Sequence, residues 1–266
     1  QTVSLTSTAG PLTLGANIGN ALDNLTLIAT AGNIEGGAGT ATGNNVTLTA
    51  TNGGIGIVTT VNTNSNTLVL MSGGAAAAGN ITVIEATATS LTATTNAATT
   101  QTIDVTLTTG DLTVGGAIGD ALDNVTLRTL AGNIVGSAST ITANALTLNA
   151  SGGIGIGTAV SANATTYSLT TAGAGAAGNI TLIDTGALNT SQITTLTTAA
   201  SAQTVSLTAT AANLTINAAI GNAIDNLTLI ATGAGDVVGG ATATANALTM
   251  NAGGGIGIGT AVTANA

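Results

Sequence analysis

Ten carboxylates, one arginine and one tyrosine carry nearly all the reactive chemistry of this 266-residue chain, which has no lysine, histidine or cysteine. Nucleophilic catalysis through a thiol or an imidazole-activated hydroxyl is closed to it. What remains is carboxylate chemistry: paired acids for glycoside cleavage, or oxygen ligands for a hard cation. The acids that recur are Asp23, Asp123 and Asp225, each followed by an asparagine (Asn24, Asn124, Asn226). A carboxylate beside an amide oxygen begins a Ca²⁺ site, and Asp120 close to Asp123 makes the second copy the best place for one. Ca²⁺ takes six to eight oxygens, however, and these acids are spread thinly along the chain. Asp and Asn also bond their own backbone in turns. The pairs therefore read first as turns entering a strand, and only weakly as metal ligands. Apart from that calcium, no cofactor is expected. Arg128 has Ile28 and Ile230 at the equivalent positions, so no acid–base groove recurs, and the chain is not expected to be an enzyme.

A second recurring motif is Gly53-Gly54-Ile55-Gly56-Ile57, which returns at Gly152–Ile156 and Gly254–Ile258. A phosphate-cradling loop would need a following lysine and a helix N-terminus, and neither is present. Gly53, Gly54, Gly152, Gly153, Gly254 and Gly255 read instead as tight corners. The run also lacks the aspartates of calcium-binding nonapeptide repeats.

Both motifs belong to a block of about a hundred residues. Gln1-Thr2-Val3-Ser4-Leu5 returns as Gln101-Thr102-Ile103-Asp104-Val105 and as Gln203-Thr204-Val205-Ser206-Leu207. The blocks span 1–100, 101–202 and 203–266, the third incomplete, so the chain reads as a segment of something longer. Inside each block, triplets with apolar ends, most with Thr or Ser between them, begin every 21 or 22 residues, at Val3, Leu25, Val46 and Leu68 in the first. Alternation with period two is the strand signature, and the β-branched residues suit it. The stretch 86–100 and its counterpart 185–202 read as a shorter, less regular unit.

Two architectures fit. One is an all-β parallel β-solenoid of 21–22-residue coils, continuous over 1–266, with about thirteen coils. The other is a string of immunoglobulin-like sandwiches. The internal period and the lack of linkers favour the solenoid, and so does the lack of aromatics, since a sandwich core wants them. The repeated motifs would then mark matching corners along a rod.

Only 4% of residues are charged, although the net charge is −9. Nucleic-acid binding and attraction to anionic lipid need a basic surface that is missing here, and no apolar run is long enough for a membrane-spanning helix. Thr-x-Thr pairs such as Thr47/Thr49 and Thr92/Thr94 raise ice binding as a remote alternative. They fall at differing places in the units, so regular ranking is not expected.

The runs Asp123–Leu127, Ala131–Ile134, Ile141–Leu148, Gly152–Gly155 and Gly178–Leu182 resemble the repeats of filamentous-haemagglutinin-like exoproteins, some of them S-layer-family proteins. The resemblance covers essentially the whole chain but carries no catalytic or binding motif. It implies a right-handed β-helix, an extracellular or bacterial cell-surface location, and a role as fibre, stalk or adhesin. The expected partner is a second copy stacked end to end, or further coils of a longer chain. A glycan or cell-surface ligand is the alternative, with Tyr167 as the sole aromatic platform.

Overall fold

The structure, a computed structural model, describes residues 1–96 and 98–266. It is a β-solenoid of about 12 turns with about 22 residues per turn, and 53% of the chain is strand. Strand pairing among the described residues is parallel throughout, which rules out tandem antiparallel sandwiches. At roughly 4.8 Å per coil, the rod is on the order of 55–60 Å long.

The period-two pattern sorts the side chains. In Asn226–Ala231, Leu227, Leu229 and Ala231 point inward and are buried, while Thr228 and Ile230 lie on the outer surface. Each inward residue stacks on its register partner in the next coil, as in Leu25–Val46–Leu68–Leu91. Because like mostly stacks on like, aliphatic side chains fill most of the interior. Burying one such side chain contributes about 1.5–3 kcal/mol.

The hundred-residue block is not a whole number of coils. From Val3 the first column climbs through Leu25, Val46, Leu68 and Leu91. Leu91 pairs with Val114, and from Leu112 at the start of that strand, itself paired with Thr89, the same side of the rod runs on through Ile134, Ile154 and Ile180 to Val205. Nine coil-to-coil steps separate Val3 from its copy two blocks later. Ile103, the copy between them, is on the other side of the rod, on top of Leu12, Ile34, Ile55 and Ile81. One block is therefore four and a half coils. The long strand of each block stacks on short segments of the one before, and successive blocks face opposite ways.

This corrects one expectation. Copies of a motif do not mark matching corners on one side, because they alternate sides. Within 86–96, Thr89–Thr94 is a paired strand that forms the extra half coil, and its register with the next coil shifts between Val114 and Ile118. Its inward residues are Thr89, Leu91 and Ala93, and this mix of polar and small side chains hides the apolar alternation.

Glycines are used in two ways at the corners. At Gly53 and Gly54 the need is space. A Cβ on Gly53 would lie 2.5 Å from the Gly32 carbonyl oxygen, and one on Gly54 would lie 2.4 Å from that of Asn80. Left-handed backbone appears further along the motif, at Gly155 (φ 72°) and Gly157 (φ 77°). These two allow a direct comparison. A Cβ on Gly155 would meet the Thr181 carbonyl oxygen at 2.2 Å, whereas one on Gly157 would meet nothing within 4 Å. Gly157→Ala is expected to cost about 1 kcal/mol from backbone strain alone. Gly155→Ala should exceed that by at least about 1 kcal/mol of overpacking, as read by urea denaturation.

Candidate functional site

The Asp-Asn corner is the most elaborate polar arrangement that the blocks share. Asp23, Asp123 and Asp225 are buried. One carboxylate oxygen of Asp123 accepts the Gln101 N–H at 3.1 Å, and the same oxygen of Asp225 accepts the Gln203 N–H at 3.0 Å. Asp23 makes the matching contact to the Gln1 amino group at 3.1 Å. The second oxygen faces the residue three positions earlier: the Asn20 and Asn222 side-chain amides, or the Asp120 backbone N–H. Thr95 and Thr198 hydroxyls add a donor to Asp123 and Asp225. The following asparagine works in the other direction. Oδ1 of Asn24, Asn124 and Asn226 accepts from Asn45, Asn144 and Asn246 in the next coil, at 2.8, 3.2 and 3.0 Å. Each pair thus ties a coil to the one below through the acid and to the one above through the amide.

Around these carboxylates stand N–H and O–H donors, the wrong sign of neighbour for a cation. Asp120 turns its own Oδ1 onto the Leu122 N–H at 2.8 Å. Among the described residues no group of three or more His, Cys, Asp or Glu is placed to hold a metal ion. Burial, and secondarily Asp120, raise the Asp123 carboxyl above the ordinary range, against the hydrogen bonds from Thr95 and Gln101. Asp123→Ala should cost about 1–2 kcal/mol through the orphaned Gln101 N–H, and Asp123→Asn much less. Adding Ca²⁺ should leave the thermal midpoint of the unmodified protein unchanged.

The glycine corners have a partner that the sequence reading passed over. Asn33 and Asn133 accept the N–H of Gly54 and Gly153 at 3.1 and 2.8 Å, and Asp236 accepts that of Gly255 at 2.7 Å. The available signal was the recurrent Gly32-Asn33, Gly132-Asn133 and Gly235-Asp236, one coil upstream of each glycine pair.

Outward hydroxyls rank more regularly than expected. Ser4, Thr26 and Thr47 share one column, with Val69 interrupting before Thr92. Thr126, Thr147 and Ser168 form another on the opposite side. The neighbouring columns are mixed, since Ile28 and Met71 share that of Thr49, and Arg128 and Asn149 share that of Thr106. Thr-x-Thr pairs therefore do not stack on consecutive coils, while single Thr columns do.

Tyr167 overturns its expected role. It is fully buried in the solenoid interior and cannot offer a platform to a glycan. Its position continues the column Ile103–Val125–Leu146, and inward facing follows from the register. The hydroxyl donates to Asp184 and accepts the Ala164 N–H at 3.0 Å. Asp184 also accepts the Gly186 N–H at 2.7 Å. The equivalent acid one block earlier, Glu85, is likewise buried. It accepts from the Thr63 hydroxyl at 2.8 Å and from the Ser65 N–H and hydroxyl, both at 2.9 Å. Burial raises both acids above the ordinary carboxylate range, the hydrogen bonds opposing it, and burial followed by Asp184 raises the Tyr167 phenol. The sequence reading missed both acids. Their signal was the position inside the strands Ile81–Glu85 and Ile180–Asp184, at an alternating site that should be apolar.

The architecture defines the class: a repeat protein of the β-solenoid type. Compared with family models, curated proteins and solved structures, the chain matches none.

Proposed function

We propose that this chain is a stiff structural element, part of a fibre, stalk or matrix filament outside a bacterial cell. The observation that carries the reading is the unbroken succession of parallel coil-to-coil pairings from Thr2–Ser7 to Ala247–Ala252. A quasi-one-dimensional stack of this kind resists bending along its axis, and its coil-to-coil pairing runs across the block junctions among the described residues. The half-coil offset supports it, since each block interlocks with the next instead of ending at a boundary. Long strands lie on the same side of the rod in the first and last coils, so further coils, in the same chain or in another copy, continue the columns by backbone pairing.

Negative-stain electron microscopy of the purified chain tests the rod. Straight particles no shorter than about 55 Å are expected, and compact round particles would overturn the reading. Antibody labelling of intact source cells tests the location, with surface label expected; label seen only after permeabilisation would refute it. The Thr columns give one specific reason to examine ice binding as a second reading, and an absence of thermal hysteresis would end it.

A further inference from the structure

We propose that Asn52-Gly53 is a self-modification site, at which the chain converts one asparagine to aspartate and isoaspartate without an enzyme. It is the only Asn-Gly dipeptide in the sequence. In the other two blocks the residue before the equivalent glycine is Ser151 or Gly253, neither of which can react this way.

The reaction needs a backbone nitrogen free to attack the asparagine side chain, and a following residue with no Cβ to obstruct it. In the later blocks the equivalent nitrogen is engaged, Gly152 N–H with the Gly132 carbonyl at 2.8 Å and Gly254 N–H with that of Gly235 at 2.9 Å. The Gly53 N–H donates no such bond among the described residues. The carbonyl end of Gly53 is held, accepting the Gly74 N–H and the Ser72 hydroxyl at 3.0 Å each. The nitrogen that must attack is thus the unengaged end of an otherwise fixed residue. Asn52 is exposed, and its amide nitrogen donates to the Thr30 carbonyl at 2.8 Å.

The Gly53 nitrogen forms a bond to Cγ of Asn52 and loses its proton, and the side-chain nitrogen leaves as ammonia. Water then opens the cyclic imide at either carbonyl, giving aspartate or isoaspartate. No oxidant, reductant or cofactor takes part. Either product replaces the donor to the Thr30 carbonyl with a carboxylate, so two acceptors face each other across adjacent coils. Isoaspartate also lengthens the backbone by one methylene at a corner whose spacing Gly53 keeps tight.

The test is incubation of the folded chain in mildly alkaline buffer, followed by peptide mass spectrometry in heavy-oxygen water. The expected result is an amide-to-acid mass gain at Asn52 at least about tenfold faster than at Asn45 or Asn66, with heavy oxygen incorporated. Asn52→Ser should abolish it, and Gly53→Ala should slow it. Should Gly53→Ala fail to fold, the comparison among asparagines within the unmodified chain still decides. Equal rates at all three asparagines would overturn the proposal, as would conversion at Asn52 only after denaturation.

Discussion

Leu148→Ala is expected to lower the unfolding free energy by about 2–5 kcal/mol. Leu148 is fully buried and stacks between Leu127 and Leu169 in the middle of the rod. Removing its side chain leaves a void that coils above and below cannot fill, because backbone pairing fixes their spacing. Thr147→Ala, one residue away on the outer surface, should change stability by no more than about 0.5 kcal/mol. Urea denaturation of the two variants measures the contrast. Hydrogen exchange should place the loss in the coils around Leu148, as expected of a stack in which each unit touches only its neighbours. Equal effects of the two substitutions would mean that the inward and outward assignment is wrong.

The second large effect is a stability that rises on acidification. Glu85, Asp123 and Asp184 are all raised in the folded protein, with burial as the leading cause. Below about pH 4, the ordinary carboxylate range, these groups are protonated in both states and the folded protein keeps their full contribution. As pH climbs, the unfolded chain ionises first while the folded chain still holds its protons. Stability therefore falls from that range upward, until the folded groups ionise as well. Each pKa unit of displacement is worth about 1.4 kcal/mol, and the three groups act in the same direction. Thermal unfolding between acid and neutral pH should show the midpoint rising as pH falls. Glu85→Gln and Asp184→Asn should flatten the profile, because a neutral amide makes no demand for a proton. Tyr167 is the sole aromatic residue, so its fluorescence reports the Asp184 end directly. Ordinary acid denaturation, with stability lost toward low pH, would contradict this account.

Both results depend on which residues face inward, and that was legible unevenly. The triplets at Val3, Leu25 and Val46 showed their inward residues plainly, because apolar and hydroxyl side chains alternate there, while Leu68-Val69-Leu70 was placed by its spacing. Thr89–Thr94 did not, since Thr89 and Ala93 stand where larger aliphatics would have declared the pattern. Glu85 and Asp184 were hidden for the opposite reason. A charged residue on a strand is read as outward-facing unless its partners are known, and Thr63, Ser65 and Tyr167 belong to other coils. The Asp-Asn turns were visible as repeats, but their cross-coil bonds to Gln101 and Asn144 join residues more than one strand away in sequence.

By itself, the sequence determined that the chain is built of strands, that they repeat every 21 or 22 residues, and that aliphatic columns fill the interior. Local alternation and turn chemistry carry that information, and neither needs a distant partner. Only the tertiary structure decided the phase between blocks. Whether a hundred residues make a whole number of coils depends on small differences in corner length and on which strand each segment pairs with. Those pairings set the half-coil offset, send equivalent motifs to opposite sides of the rod, and place two carboxylates and the tyrosine in its interior.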